Sequence, residues 1–403
     1  MNACGLIVEY NPFHLGHLYH INQARLASNA DCMIAVMSGS FLQRGEPAII
    51  DKYHRTKAAL ASGVDIVLEL PYIYSVQNSD HFAKGAVLTL NEIGVSSICF
   101  GSESGDISRF IKAQNEITKH RIEYNRILKV KLSAGLSFPE ASKQAYREIG
   151  LDDLALNLNK PNNILGFSYV KAIYDNKLSI QPLTIERTKN NFHDIAISNP
   201  IASATSIRNE LFHEGKITNK IAQTIPAVTI EQLEQYYHHA STWHHWESYF
   251  PYLQYRILTM SEDEVKAIHG VVEGLEYRIK KTAKDAHSFE EWVRLIKTKR
   301  YTWTRIQRMF VHLLTNTRKE DIEEWLAKPN VPYVRVLGFT EKGQAYLNQV
   351  KKNINVPLID KFNKSNSPVL KLEEKATNAY YSILKPTNRI KLFKQELRSP
   401  IIL

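Results

Sequence analysis

A chain of 403 residues is longer than one typical domain, so two or three folded units are expected. Its 51 Lys and Arg outnumber 41 Asp and Glu, and a net charge of +10 points to a polyanionic partner. No basic-then-apolar leader opens the chain and no apolar run approaches the ~18 residues that span a bilayer, so the expectation is a soluble, cytoplasmic protein with no membrane partner.

The first predicted strand, residues 4–9, is a short and nearly unbroken apolar run, as a strand buried on both faces requires. It leads into Asn11-Pro12-Phe13-His14-Leu15-Gly16-His17. A strand that turns into a helix at this point delivers backbone N–H groups and helix-dipole charge to one place, where a phosphate can sit. His14 and His17 can then donate hydrogen bonds to oxygens that gain charge as a phosphorus centre is attacked. Gly16 lets the backbone approach, because a side chain there would hold it away. A bare strand–helix connection rich in histidine is the structural alternative; the full His-x-Gly-His spacing favours the nucleotide.

Strands over 32–38, 66–70 and 97–100 alternate with helices over 17–28, 52–61 and 80–93. This βαβα order predicts a doubly wound parallel α/β sheet of Rossmann type, with its ligand in the crevice outside the carboxyl ends of the strands. His14, Ser38-Gly39 and Phe100-Gly101 all fall at such ends. Gln43-Arg44-Gly45-Glu46-Pro47 reads as a loop over that crevice, in which Arg44 can hold a phosphate or a carboxylate. Lys52, Arg55 and Lys57 are assigned to the solvated face of the next helix, and Asp31 and Asp65 to turns. Cys4, Cys32 and Cys99 lie in or beside apolar runs without metal spacing, which reads as buried free thiols in a reducing compartment.

Residues 106–180 read as mainly helical, broken at Phe138-Pro139 and at Lys160-Pro161-Asn162-Asn163, with a helix starting near Ile164. A strand over 183–187 follows, then a polar loop to about Ser198. Ala202-Ser203-Ala204-Thr205-Ser206-Ile207-Arg208 opens a further helix. Hydroxyls and free N–H groups at a helix start, with an arginine one turn in, form an anion site; an ordinary N-cap with a surface arginine is the alternative.

Pro226 marks the expected edge of the catalytic unit, residues 1–228. Beyond it, residues 229–403 form a mainly helical basic region, with a small α/β tail from about 333. Residues 1–230 carry 23 Lys and Arg against 21 Asp and Glu, whereas residues 231–403 carry 28 against 20. The excess cation is thus remote from the proposed chemistry, as suits a region that grips nucleic acid. Its densest segment, residues 292–308, interleaves Arg294, Lys297, Lys299, Arg300, Arg305 and Arg308 with Trp292, Tyr301 and Trp303. Such cations can neutralise phosphates while the aromatics stack on unpaired bases. The same segment also suits an amphipathic helix with Leu295, Ile296, Ile306 and Met309 in the core, and both readings can hold for different residues. No Asp-x-Asp pair or His/Cys/Asp cluster offers a metal cage, so no metal-ligating residue is assigned. Nor is there a Gly-x-x-x-x-Gly-Lys-[Ser/Thr] loop, which argues against a P-loop ATPase.

His14-Leu15-Gly16-His17 resembles the signature of the HxGH nucleotidyltransferases. The longer string from Gly5 to His17, with Met37-Ser38-Gly39-Ser40-Phe41-Leu42-Gln43-Arg44-Gly45-Glu46-Pro47, Asp65-Ile66-Val67-Leu68-Glu69-Leu70-Pro71 and Lys160-Pro161-Asn162-Asn163-Ile164-Leu165-Gly166, resembles the bacterial tRNA(Met) cytidine acetate ligase family within that superfamily. Residues 202–208 are similar to the superfamily's Ile-Ser-Ser-Thr-x-Ile-Arg motif at Ser203, Thr205, Ile207 and Arg208, and depart from it at Ala202 and Ala204. The resemblance implies an ATP-dependent ligase forming N4-acetylcytidine at the wobble position of elongator tRNA(Met), through an acetyl-adenylate. Acetate and tRNA are then the partners, and Mg2+ is carried mainly by the triphosphate. It implies an ATP site made of Ile7, Val8, Glu9, Tyr10, Asn11, Pro12, Phe13, His14, Leu15, Gly16, His17, Leu18, Tyr19 and His20, followed by Gly101, Asn162 and Arg187. Asn163 is a near-equal substitute for Asn162, and Arg187 can instead pair with Glu186. Two other functions remain open to the sequence. One is a cytidylyl- or adenylyltransferase acting on a small phosphorylated metabolite; the other is a non-catalytic RNA-binding protein on a nucleotide fold.

Overall fold

A computed structural model of the chain describes residues 1–150, 156–158, 160–187, 202–272, 274–362 and 367–403. The strands are β1 (Ala3–Val8), β2 (Cys32–Ser38), β3 (Ile66–Leu70), β4 (Ser97–Ser102), β5 (Gln181–Glu186), β6 (Val334–Phe339), β7 (Leu358–Ile359) and β8 (Ile401–Ile402). They form one sheet in the order β5-β4-β1-β2-β3-β6-β7, with β8 also paired to β6. Every pairing among β1 to β5 is parallel. The doubly wound α/β sheet expected from the βαβα alternation is therefore present.

The continuous apolar runs follow from burial on both sides: every residue of β2 and β3 is buried. Side chains alternate between two cores, as the strand period of two demands. Cys32, Ile34 and Val36 join one core, and Met33, Ala35 and Met37 the other. Strand order reverses between β1 and β4, so their carboxyl ends open a crevice rather than closing against a crossover.

Three local expectations change. The helix after Lys160 runs Pro161–Asp175, three residues earlier than the start near Ile164, because Pro161 at its first position already has the helical φ. Asn162 and Asn163 thus lie in its first turn. Lys52 and Arg55 are buried rather than solvated. Leu295, expected in the core, is 38% exposed, whereas Ile296, Ile306 and Met309 are buried. The polar loop expected to reach Ser198 lies outside the described residues.

The second half is helical from Ala227–Ala240 to Lys319–Ala327. The chain then returns to the sheet, where β6 pairs antiparallel to β3 with a register shift between Val67 and Leu68. This return explains the buried Lys52. Its Nζ lies 2.6 Å from Glu69 and 2.8 Å from Glu396, and Arg335 on β6 holds the same two carboxylates at 2.7 Å each.

Candidate active site

The crevice encloses about 250 Å³ at the carboxyl ends of β1, β4 and β5. Its centre is the turn from β1 into the Leu15–Ser28 helix. The His14 N–H donates to Nδ1 of His17 at 3.3 Å, and the two imidazoles stack with centroids 3.7 Å apart. Because Nδ1 of His17 accepts, its ring proton resides on Nε2, the nitrogen left to donate. His14 Nδ1 and His20 Nε2 are buried without a partner among the described residues. Burial holds His14 down at about 3, with Arg187 and Arg208 adding to the shift. Burial, then Arg187, depresses His20 to about 4, and burial with the neighbouring His14 keeps His17 well below the usual imidazole range. All three are neutral at physiological pH, so the positive charge of the crevice belongs to its arginines.

Behind this turn sit the residues that shape it. Phe13 is buried edge-on to Tyr10 at 4.7 Å, Leu18 packs into the core on that face of the sheet, and the Leu15 N–H donates to Thr224 O at 2.9 Å. Pro12 is buried as well. Of the stretch from Ile7 to His20, these four do not line the crevice; Ile7, Val8, Glu9, Tyr10, Asn11, His14, Gly16, His17, Tyr19 and His20 do.

The distant candidates converge on the same place. Gly101 lines the wall, and a Cβ there would lie 3.1 Å from Arg187 Cγ. Arg187 donates to Asn162 Oδ1 at 3.3 Å, so its partner is Asn162 rather than Glu186. Asn162 Nδ2 donates to Glu103 at 2.8 Å, with its carbonyl edge toward Arg187 in the crevice. Asn163 is buried and committed to structure: its Oδ1 accepts from the N–H groups of Glu103 and Ser104, and its Nδ2 donates to Asn157 O. Geometry therefore separates the two asparagines. Ser203 caps the Ala204–Glu214 helix, its Oγ accepting from Ser206 N at 3.1 Å, while Thr205 lines the crevice beside it. Arg208 donates to Asn11 O and to Glu46, each at 2.8 Å, tying this helix to the His14 turn.

Glu9 belongs to the expected stretch, but its hold on the loop and the apolar wall of the crevice carried no usable sequence signal. Glu9 accepts from the Gln43 N–H at 2.7 Å and anchors the loop that carries Arg44, and burial, then the nearby Glu46, raises its carboxyl. Phe82, Phe100, Leu165 and Tyr169 supply an apolar wall from three separate elements. Glu103, which holds Asn162 from behind, was not singled out by the sequence. No group of three His, Cys, Asp or Glu suited to a metal ion occurs among the described residues.

The basic segment divides. Arg294, Lys297, Lys299 and Arg300 are exposed, Arg294 paired with Glu290. Trp292 is wholly buried and donates to Thr282, so it is core and not a stacking platform. Arg305 and Arg308 are half-buried on the Trp303–Leu314 helix.

Residues 1–396 match the HIGH Nucleotidyl Transferase family model. A tRNA(Met) cytidine acetate ligase of Oceanobacillus iheyensis is 55% identical over 403 residues, covering 100% of both chains. The enzyme of that name from Bacillus licheniformis is 47% identical over 405 residues, covering 100% of this chain and 97% of its own. This chain belongs to the tRNA(Met) cytidine acetate ligase family. The crystal structure of Thermotoga maritima TmcAL bound with alpha-thio ATP matches it with a TM-score of 0.90 at 33% identity, over 100% of both chains, and the apo form with a TM-score of 0.92 at 34%. No helix among the described residues is long and apolar enough to cross a membrane.

Proposed function

We propose that this chain is an ATP-dependent ligase that joins acetate to N4 of the wobble cytidine of elongator tRNA(Met) in the cytoplasm. What carries this reading is the union of a neutral, stacked His14–His17 pair with three crevice arginines in a chain whose full-length relatives bear that enzyme's name. In the first step an acetate oxygen bonds to the α-phosphorus of ATP, the bond to the β-phosphate oxygen breaks, and pyrophosphate leaves. In the second, the cytidine N4 bonds to the acetyl carbon, the mixed anhydride C–O bond breaks, AMP leaves, and the amine proton is lost.

Neutral imidazoles suit the first step. Each keeps one ring N–H that can donate to the α-phosphoryl oxygens, and a low-dielectric site strengthens such a bond. Arg187, Arg208 and the Ser203–Thr205 helix start hold the remaining phosphate charge, and Gly101 and Asn162 receive the nucleoside. Magnesium arrives with the triphosphate, whose oxygens are its ordinary ligands. The exposed Arg294, Lys297, Lys299 and Arg300 offer the tRNA backbone a sequence-independent grip.

The test is incubation with labelled acetate, ATP and elongator tRNA(Met), alongside ATP–pyrophosphate exchange. Acetate-dependent exchange without tRNA, and label in the RNA with it, are expected. Exchange that needs no acetate, or RNA that stays unlabelled, defeats the reading.

A further inference from the structure

The strands hand alternate side chains to the two sides of the sheet, and this division continues into the crevice. On β1, Leu6 and Val8 join the core that holds Tyr10 and Phe13, whereas Ile7 packs against the other core. Glu9, two residues beyond Ile7, stays on the side of Ile7. Its Oε1 accepts from the Ser38 hydroxyl at 3.4 Å and from the Gln43 N–H at 2.7 Å. Ser38 in turn continues the alternation of Cys32, Ile34 and Val36, which share the core of Ile7. Phe82, Phe100 and Tyr169 belong to that core as well, with Tyr169 edge-on to Phe100 at 5.7 Å. Gly101 and Arg187 follow Cys99 and Ile185 on the other side, where the Tyr10 ring meets His17 at 4.9 Å. The crevice therefore has two sides that meet over the end of β1: histidines, Gly101 and Arg187 on one, a carboxylate and aromatic rings on the other.

The polar groups on the second side are left open. Both hydrogen bonds to the Glu9 carboxylate fall on Oε1, and Oε2 has no hydrogen-bond partner among the described residues. Tyr169 is 5% exposed and lines the crevice, yet its hydroxyl has no hydrogen-bond partner among the described residues. Burial keeps that hydroxyl protonated, so it can donate. An acceptor and a donor beside an aromatic wall suit a flat ligand with a polar edge. Cytosine presents an amine at N4 next to ring acceptors, and a carboxylate is the ordinary partner of that amine. The face of an unpaired base packs on aromatic side chains.

We propose that Glu9, Phe82 and Tyr169 form the pocket for the target cytosine, on the side of the sheet away from the nucleotide, and that Glu9 Oε2 is the base of the second step. As N4 bonds to the acetyl carbon, the mixed-anhydride C–O bond breaks, its electron pair leaves on the phosphate of AMP, and the N4 proton passes to Oε2. This rests on the ligase reading. Adenine also carries an amine, but the nucleoside of ATP has Gly101 and Asn162, beside Arg187, to receive it.

Glu9→Gln keeps a carbonyl oxygen for the Ser38 and Gln43 donors and removes only the carboxylate. The full-length parent, Glu9→Gln and Tyr169→Phe are compared by acetate-dependent ATP–pyrophosphate exchange without tRNA. Single-turnover transfer of labelled acetyl from the loaded enzyme to an elongator tRNA(Met) transcript is measured on the same preparations. Relative to exchange, transfer is expected to fall on the order of 10²-fold or more in Glu9→Gln. In Tyr169→Phe it should fall roughly tenfold relative to exchange. Exchange that falls as far as transfer, with a raised KM for ATP, gives this side of the crevice to the nucleotide and overturns the cytosine assignment. Transfer that keeps pace with the parent in Glu9→Gln overturns the base, and in Tyr169→Phe it overturns the pocket; the second variant decides if the first does not fold. A parent without exchange sinks the ligase reading and this assignment together, whereas a parent that exchanges and transfers while both variants keep pace sinks this assignment alone.

Discussion

At His14 and His17, protonation governs what the site can do. A surface histidine titrates near 6.5, but burial and the adjacent arginines leave these rings neutral far below that. On the mechanism proposed above, replacing either with alanine removes a donor to the α-phosphoryl group, and kcat for acetate-dependent exchange is expected to fall on the order of 10²–10³-fold. No acid limb near pH 6.5 should arise from these two rings; a loss of exchange there that vanishes in His14→Asn would refute their neutrality. The same shifts bear on stability. His14, His20 and His244 have folded values of about 3, 4 and 3, all below the unfolded value of 6.5. The unfolded chain therefore binds more protons between about pH 6.5 and 3. Their stabilisation is complete above 6.5 and is lost as pH falls through that window. Thermal melts at pH 8, 6 and 5 are expected to show Tm dropping from pH 8 to 6 and further from 6 to 5, and a level Tm would contradict it.

Among the elements, the Lys52–Ala61 helix shows where sequence periodicity stops. Its polar residues mark a solvent face by pattern alone, yet Arg55 is buried, its guanidinium donating to the carbonyls of Glu9, Ser38, Gly39 and Ile50. One side chain thereby joins the ends of β1 and β2 to the loop at the mouth of the crevice. Arg55→Ala would leave those carbonyls without their donor, at a cost of about 3–5 kcal/mol. Chemical denaturation should show that loss, and a change under about 1 kcal/mol would reduce Arg55 to a bystander. The strands are a different case. Residues 32–38 and 66–70 were legible to the residue because burial on both faces leaves an apolar run with nothing to imitate it. The histidine turn was legible because its chemistry and its backbone geometry are local to seven residues.

The assembled chain depends on a contact that spans its length. Arg335 on β6 neutralises Glu69 of β3 and Glu396 near the carboxyl end, with Lys52 completing the group. Arg335→Met would strand two buried carboxylates beside one lysine, costing about 3–5 kcal/mol. A Tm within a degree or two of the parent would show that the network is relaxed. From its amino acids alone this protein declared a parallel α/β sheet, a histidine turn at the end of its first strand, and a basic second half, since each is written in spacings of a few residues or in summed charge. It took the folded chain to bring Arg187 to Asn162, to commit Asn163 to the backbone of Glu103 and Ser104, to bury Lys52 and to set Gly45 against the backbone of Arg308. Those outcomes are pairings between residues tens to hundreds of positions apart, and a one-dimensional pattern carries no record of which distant charge will meet which.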